Sequence, residues 1–372
     1  MSSGRVARIA VGGAGWWGQG WHLPHLARNP NAKIAAIIEP AQHPRSSNAA
    51  QTLLPTAELT KLYDAPVFSS LDEMLTSECS VDGLLVGTPH ASHFALGMAA
   101  MDAGLNVLME KPMTTDVEEA RRLVARADEH AAVNRVFMIN HTANWRPATQ
   151  QAAGAVAAGR IGRVTHVAAT MHSPLMWLFD DPANAGWVQP TGRMSGNGFG
   201  WGQLSHLFAW IFGVTALEPC AVFAVLSPSS RSGADLHDAV TVRCEGGASI
   251  TVSGSAGVPG DAHGDAPVGK RIAFQIFGTE GMLSYGGDDQ QPDSGALELR
   301  RHDGSHERLH PTFLFENYEP LGDGPESLHA FVDACAGRDC YVGADARCGL
   351  QTVRTLDAMY RSQSSGAVEP CG

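Results

Sequence analysis

Short apolar runs alternate with amphipathic segments along the first 140 residues of the chain. Five runs have the length of buried strands, at residues 6–11, 34–38, 81–86, 106–109 and 136–139. Strands that alternate with amphipathic helices predict an α/β domain with a doubly wound parallel sheet. Ligands of such sheets bind at the carboxyl ends of the strands, so the residues after each run are candidates for a site.

A period of two between apolar and polar positions becomes frequent after residue 160. It predicts strands of an antiparallel sheet at residues 164–171, 221–226, 239–244, 248–253, 271–277, 282–285 and 297–300. Two segments with helical spacing, 328–336 and 346–361, follow these strands. We therefore expect an α/β domain over residues 1–140 and an α+β domain over residues 141–372.

Composition is compatible with two packed cores, since 44% of the 372 residues are hydrophobic and 17% are charged. The formal net charge of -12 disfavours a surface for nucleic acid or anionic membrane, because both would repel it. No apolar run reaches the roughly 20 residues that cross a bilayer, and no signal-peptide core is evident. We expect a cytoplasmic protein. Seven scattered cysteines and the dispersed histidines indicate neither a disulfide framework nor a metal site.

A glycine-rich loop follows the first apolar run. Gly13, Gly15 and Gly18 have the spacing G-x-G-x-x-G, which permits a tight turn, close approach of a pyrophosphate and close helix packing. The helix that begins there directs free N–H groups at the phosphates. Trp16 and Trp17 lie within this loop and join the cofactor-binding candidates. The loop predicts that residues 1–140 are a Rossmann domain that binds a dinucleotide.

Glu39 ends the second apolar run, about 20 residues after the glycines, where such domains carry a ribose-binding carboxylate. A carboxylate accepts hydrogen bonds from the ribose hydroxyls and repels a 2′-phosphate, so Glu39 favours NAD over NADP. His43 and Arg45 follow closely and can weaken that preference.

The remaining strands also end in residues suited to a ligand. Together with the helix-opening His93, these strand-end residues complete the predicted cofactor site: Thr88, Pro89, Glu110, Lys111 and Asn140.

As a set, these motifs resemble the Gfo/Idh/MocA family of oxidoreductases, the group of glucose-fructose oxidoreductase and inositol dehydrogenase. The resemblance spans nearly the whole chain and rests on the glycine loop, Gly87-Thr88-Pro89 with His93, Glu110-Lys111-Pro112, 159–162, 277–281 and 357–362. It implies a nicotinamide-dependent enzyme that acts on a sugar or cyclitol. It also implies one large open sheet in the second domain and a homo-oligomer, dimeric or tetrameric.

The resemblance also assigns the catalytic residues. Lys111 matches the lysine that the family places beside the reacting carbon, where an ammonium stabilises alkoxide character. His206 matches the family's catalytic histidine, which can take or return the hydroxyl proton. Gln203, three residues earlier, stands where the family usually carries a carboxylate. An amide carries neither charge nor an acidic proton. This departure therefore puts in doubt whether this chain shares the substrate of the inositol dehydrogenases.

Residues 173–197 form a long segment rich in Trp, Asp, Pro and Gly. Long loops in compact domains are often functional, and tryptophan faces pack well on sugar rings. The candidate substrate residues in or near this segment are Trp187, His172, Arg193 and Trp201. Arg146 is a further candidate, shifted from the position of an arginine found in many relatives.

Three functions are compatible with this sequence. The first is a dehydrogenase or reductase of a secondary alcohol in a sugar, cyclitol or sugar derivative. The second is a redox glycosidase, which oxidises a ring hydroxyl transiently, eliminates the aglycone, adds water and reduces the ring again. The third is a non-catalytic NAD-binding sensor, which the presence of Lys111 and His206 disfavours.

Overall fold

The computed structural model describes residues 5–46, 52–261, 267–316 and 326–372. Contacts divide the chain into two compact units. The first unit comprises Met1–Thr114, Glu118–Asn140 and Tyr318–Arg347, and the second comprises Thr115–Val117, His141–Asn317 and Cys348–Gly372.

Strands and helices occur in both units. The strands are β1 Ala7–Gly12, β2 Ala32–Ile38, β3 Val67–Phe68, β4 Gly83–Val86, β5 Asn106–Met109, β6 Phe137–Ile139, β7 Val164–His172, β8 Pro219–Pro228, β9 Asp235–Cys244, β10 Ser249–Ser255, β11 Arg271–Gly278, β12 Gly281–Asp288, β13 Leu297–Arg301, β14 His306–His310 and β15 Glu369–Pro370. The helices are α1 Leu23–Arg28, α2 Thr56–Tyr63, α3 Leu71–Thr76, α4 His93–Asp102, α5 Val117–Ala131, α6 Pro147–Ala157, α7 Met176–Phe179, α8 Ala185–Val188, α9 Ser205–Thr215, α10 Glu326–Cys335 and α11 Ala346–Ser365.

The first unit is built on a six-stranded parallel sheet with the order β3-β2-β1-β4-β5-β6. The strands β4 and β5 are buried along their whole length, as expected of a parallel sheet that helices cover on both faces. The predicted doubly wound sheet is therefore confirmed. The short strand β3 escaped sequence reasoning, because two residues at a sheet edge carry no periodic signal.

The helix α10 belongs to this first unit although it follows the second unit in sequence. It packs on β1 and β5. A methyl group at Gly83 would meet the Cys335 sulfur at 2.4 Å and the Phe331 ring at 2.8 Å, so a glycine in β4 makes room for the helix. The expected boundary at residue 140 placed α10 in the second domain, whereas its contacts assign it to the first unit. Helical spacing shows which face of α10 is apolar but does not identify the sheet that it covers.

The second unit contains a nine-stranded sheet with the order β14-β13-β12-β11-β7-β10-β9-β8-β15. All neighbours pair antiparallel except β7 and β10, which run parallel. The large, mostly antiparallel sheet is confirmed. The edge strand β14 was missed, because its residues are exposed or half-buried and show no apolar alternation.

One face of this sheet packs against helices. In β7, Val167, Ala169 and Met171 are buried, whereas the residues between them are half-exposed. The helix α9 contacts both β7 and α6. Trp210 of α9 stacks on Phe274 with ring centroids 3.8 Å apart. This core fixes α9, the helix that carries His206.

Among the described residues, no helix combines the length and apolar character that a membrane span needs. The same part of the chain shows no group of three or more side chains arranged to hold a metal ion. The homo-oligomer expected from the sequence stays a prediction.

Candidate active site

The glycine loop of the first unit leaves space beside one glycine and none beside the other two. Gly13 has a φ of 93°, and a methyl group there would meet the Gly87 carbonyl oxygen at 2.6 Å. A methyl group at Gly18 would meet the Gly13 oxygen at 2.3 Å. A methyl group at Gly15 would meet the Arg45 carbonyl oxygen at 3.9 Å, which is ordinary van der Waals contact. The loop therefore fits a pyrophosphate that approaches the main chain at Gly15.

Glu39 lies directly beside this loop. Its two carboxylate oxygens accept hydrogen bonds from the main-chain N–H groups of Ala14, at 2.9 Å, and Ala41, at 3.0 Å. The side chain is half-buried at the carboxyl end of β2. A carboxylate is thus fixed next to the glycine loop, in the position suited to a ribose.

Trp16 and Trp17 follow Gly15 and are both half-buried. Their rings meet edge to face at 5.9 Å, and Trp17 stacks on Trp21 at 5.3 Å. Trp21 belongs to a π-helical turn, Gly18–His22, that leads into α1. The aromatic cluster therefore packs around the turn that leads from the glycine loop into α1.

His93 links two strand-end segments of the first unit. Its ring nitrogens lie 2.9 Å from the carbonyl oxygens of Thr88 and Pro112, and the side chain is fully buried. Pro89 is exposed and Thr88 is half-buried. His93 therefore holds the main chain of both segments in place, whereas Thr88 and Pro89 remain partly or fully exposed.

Glu110, at the end of β5, has several hydrogen-bond donors around it. His22 places Nε2 at 2.9 Å from its Oε1, and Asn140 donates to the same oxygen at 2.7 Å. The main-chain N–H of Lys111 donates to Oε2 at 3.1 Å. Burial alone would raise the pKa of Glu110, but the hydrogen bond and charge of His22, with Asn140 and Lys111, lower it to about 2. Glu110 is therefore ionised at neutral pH.

Lys111 is half-buried next to this carboxylate. Burial lowers the pKa of its ammonium group to about 8, and the charge of Glu110 opposes that shift. At neutral pH the side chain remains mostly protonated and can donate a hydrogen bond. Its peptide bond to Pro112 is cis.

The second unit places Gln203 and His206 one helical turn apart. Gln203 lies in the π-helical turn Gly200–Leu204, which runs into α9 at Ser205. Both side chains are buried. His206 Nε2 lies 3.3 Å from Glu316 Oε1, and its ring meets that of His141 edge to face at 5.5 Å.

The start of this turn is anchored by a buried aspartate. Asp235 accepts hydrogen bonds from the Gly200 N–H and the Tyr360 hydroxyl, both at 2.7 Å. A methyl group at Gly202 would meet the Phe179 ring at 2.5 Å. The glycines before His206 thus allow close packing that fixes where α9 begins.

Comparisons with known proteins agree with these two units. Residues 7–139 match the model of an oxidoreductase family with an NAD-binding Rossmann fold, and residues 149–284 match the GFO/IDH/MocA C-terminal domain. The chain belongs to the GFO/IDH/MocA family. The resemblance inferred from the motifs is therefore confirmed, and the protein is an NAD(P)-dependent oxidoreductase.

Two relatives and one solved structure illustrate the range of this GFO/IDH/MocA family. D-xylose 1-dehydrogenase (NADP(+)) of Haloarcula marismortui is 22% identical over 365 residues, covering 96% of this chain and 91% of the relative. UDP-N-acetylglucosamine 3-dehydrogenase of Acidithiobacillus ferrooxidans is 36% identical over 126 residues, covering 34% and 37%. The apo scyllo-inositol dehydrogenase of Lactobacillus casei superposes with a TM-score of 0.71 at 20% identity, covering 99% of this chain and 98% of that one.

The residues proposed to bind substrate in this family member lie in different environments. Trp201 is buried, stacks on Tyr360 and donates from Nε1 to the Gly196 oxygen at 3.2 Å. His172 lies on the half-exposed face of β7, opposite Met171. Trp187 is half-exposed in α8, and Arg193 is exposed in an ion pair with Asp116. These four side chains therefore differ in burial and in their immediate partners.

Arg146 is also buried, and its guanidinium group donates hydrogen bonds to main-chain oxygens. Nε donates to Phe315 at 3.2 Å and Nη2 donates to Glu316 at 3.0 Å. Sequence reasoning missed Glu316 itself, as well as Lys270 and His22. Their partners lie 46 or more residues away along the chain, so no local spacing marks these contacts.

The two glycines Gly15 and Gly18 provide a test of the dinucleotide site. Gly15→Ala should leave the unfolding temperature unchanged but weaken dinucleotide binding at least about tenfold, because the new methyl group occupies the space beside the loop. Gly18→Ala is the matched control for a packing defect and should lower the unfolding temperature. Tryptophan fluorescence titration and thermal melts measure both quantities. Unchanged affinity in Gly15→Ala would show that the pyrophosphate binds elsewhere.

Proposed function

We propose that the protein transfers a hydride between a nicotinamide dinucleotide, preferably NAD, and a secondary alcohol or ketone of a sugar, cyclitol or sugar derivative. The observation that carries this proposal is Lys111. It is a half-buried cation at the carboxyl end of a Rossmann strand, beside an ionised Glu110. The names of the relatives, which include dehydrogenases of xylose and inositol, support the substrate class.

When bound, NAD supplies a nicotinamide ring that accepts or donates the hydride. Gly13, Gly15 and the helix start after Gly18 would hold its pyrophosphate, and Glu39 its ribose. Lys111 would donate a hydrogen bond from Nζ to the substrate oxygen. This hydrogen bond stabilises negative charge on that oxygen as the carbon–hydrogen bond breaks or forms.

His206 would move the hydroxyl proton. Its Nε2 faces Glu316, so a neutral ring with its proton on Nε2 accepts a proton at Nδ1. During oxidation Nδ1 takes the proton of the substrate hydroxyl, and during reduction it returns that proton to the carbonyl oxygen. The buried Gln203 can offer hydrogen bonds on the same helix face but cannot carry the proton.

Removing the Lys111 ammonium tests this proposal. Lys111→Met should lower kcat by about 10²–10³, because a donor to the developing oxyanion is lost, while dinucleotide affinity stays within a factor of a few. Lys61→Met removes an exposed lysine of α2 and serves as the matched control. Turnover is measured with NAD against sugars, cyclitols and nitrophenyl glycosides, with NADH and nitrophenol read together.

The same assay separates the alternatives. NADH without nitrophenol supports the dehydrogenase. Nitrophenol without net NADH would replace it with the redox glycosidase, and dinucleotide binding without either product would favour the sensor. Full turnover in Lys111→Met would remove Lys111 from the chemistry.

The preference for NAD rests on Glu39. Its carboxylate is held against the glycine loop, where a 2′-phosphate would meet like charge. The relative from Haloarcula marismortui is named as NADP(+)-dependent, so the residue at this position has to decide the preference in this chain.

Replacing Glu39 by an uncharged residue should change the coenzyme preference. Glu39→Gln should raise the ratio of kcat/KM for NADP over NAD at least about tenfold, which corresponds to 1.4 kcal/mol. Glu58→Gln, on the exposed surface of α2, is the control. A wild-type enzyme that already prefers NADP, with no change in Glu39→Gln, would contradict the assignment.

A further inference from the structure

Three ionisable side chains of the second unit meet away from solvent. Lys270 and Glu316 form an ion pair through Nζ and Oε2, and the two side chains are 3% and 1% exposed. The other carboxylate oxygen of Glu316 faces His206 Nε2 at 3.3 Å. One buried carboxylate therefore lies between a lysine and the histidine to which we assign proton transfer.

The main chain around Glu316 is held from two sides, although this residue lies outside the helices and strands. Asp289 accepts from the N–H groups of Phe315, at 2.7 Å, and Glu316, at 3.0 Å. Arg146 donates to the carbonyl oxygens of the same two residues. Asp289 itself donates its N–H to the Lys270 oxygen at 2.9 Å. These bonds fix the position from which Glu316 reaches His206.

Burying such a pair gains little stability by itself. Desolvation of two charges often cancels their attraction, and apolar residues of the same volume can serve as well. The carboxylate does, however, supply what Gln203 lacks. Gln203, one turn before His206, is neutral and cannot balance a charge on the ring.

We propose that Glu316 is the positioning residue of His206. Its Oε1, 3.3 Å from Nε2, favours the ring tautomer that carries its proton on Nε2 and leaves Nδ1 as the proton acceptor, and the carboxylate stabilises the imidazolium formed when Nδ1 takes the substrate proton. Lys270 shares the carboxylate and so limits its negative charge toward His206. This inference rests on the proposed function, because it gives Glu316 a part in the acid–base role of His206.

Several titratable and charged groups among the described residues of the second unit lie around His206. Glu316 contacts Nε2, Lys270 stands behind Glu316, and His141 meets the ring at its edge. Arg146 and Asp289 bond to the main chain of Glu316. Removing the carboxylate or removing the lysine should therefore have opposite effects on the protonation of His206.

The experiment is an NMR titration of protein with labelled histidine, with the His206 signal assigned through His206→Gln. In Glu316→Gln the Lys270 ammonium stays and the carboxylate is lost, so the pKa of His206 should fall by about 1 or more. In Lys270→Met the carboxylate is no longer shared, so the pKa of His206 should rise. Opposite directions in the two variants support the inference. Equal directions, or no change in either, overturn it.

Two controls keep the result interpretable. Glu245→Gln removes an exposed glutamate of the same unit and should leave the pKa of His206 unchanged. The double variant Lys270→Met with Glu316→Gln buries no charge at this pair, so it should fold even if a single variant does not. Its His206 pKa should lie above that of Glu316→Gln and below that of the wild type, and a value equal to or above that of the wild type would count against the carboxylate.

Kinetics distinguish this inference from the proposed function. In Glu316→Gln the limb of the kcat–pH profile that belongs to His206 should move with the pKa measured by NMR, while KM changes little. If His206→Gln keeps full turnover, the acid–base role of His206 fails, and if the wild type turns over no carbohydrate, the proposed function fails; in both cases the titration still shows whether Glu316 sets the protonation of His206.

Discussion

A buried carboxylate requires partners, and each unit of this protein arranges its candidate chemistry around one. Glu110 in the first unit is surrounded by His22, Asn140 and the N–H of Lys111. Glu316 in the second unit lies between Lys270 and His206. An unpaired charge in the interior costs several kcal/mol. A fold that buries these carboxylates must therefore also hold their partners beside them. The result is a set of donors and acceptors oriented before any ligand binds.

The fold supplies this orientation through close packing at strand ends. In the first unit, main-chain hydrogen bonds join the ends of neighbouring strands, from Gly13 to Ile38, Gly87 to Gly12, Glu110 to Val86 and Asn140 to Met109. Gly13 and Gly18 have no room for a side chain, so the main chain of the loop packs closely on its neighbours. In the second unit Asp235 and the Phe179 ring fix the turn before α9. Small residues and buried hydrogen bonds thus set the positions of Lys111 and His206.

Much of this fold could be predicted from local patterns. Strands such as β4 and β5 follow from short apolar runs, and the glycine loop follows from its spacing. Contacts between distant residues could not be predicted, because periodicity shows which face of an element is buried and not what covers it. For this reason α10 was expected in the second domain, and Glu316 was not recognised beside His206.

Predictions for single side chains depended on burial, which the sequence shows poorly. Trp201 was expected to contact substrate, and in the structure it stacks on Tyr360 in the core. Arg146 was expected to reach a ligand, and its hydrogen bonds hold the main chain at Glu316. Glu39 and Lys111 lie at the carboxyl ends of parallel strands. Because ligands of such sheets bind at these ends, the sequence argument is strongest for these two residues.

The central claim is that hydride passes between a nicotinamide dinucleotide and a carbon that bears oxygen. Its most direct test is to supply the reduced cofactor with deuterium at the transferring position of the nicotinamide and to analyse the reduced carbohydrate product by mass spectrometry. The account predicts one deuterium per product molecule, on the carbon of the new hydroxyl group. Turnover that yields product without deuterium from either face of the nicotinamide would contradict it.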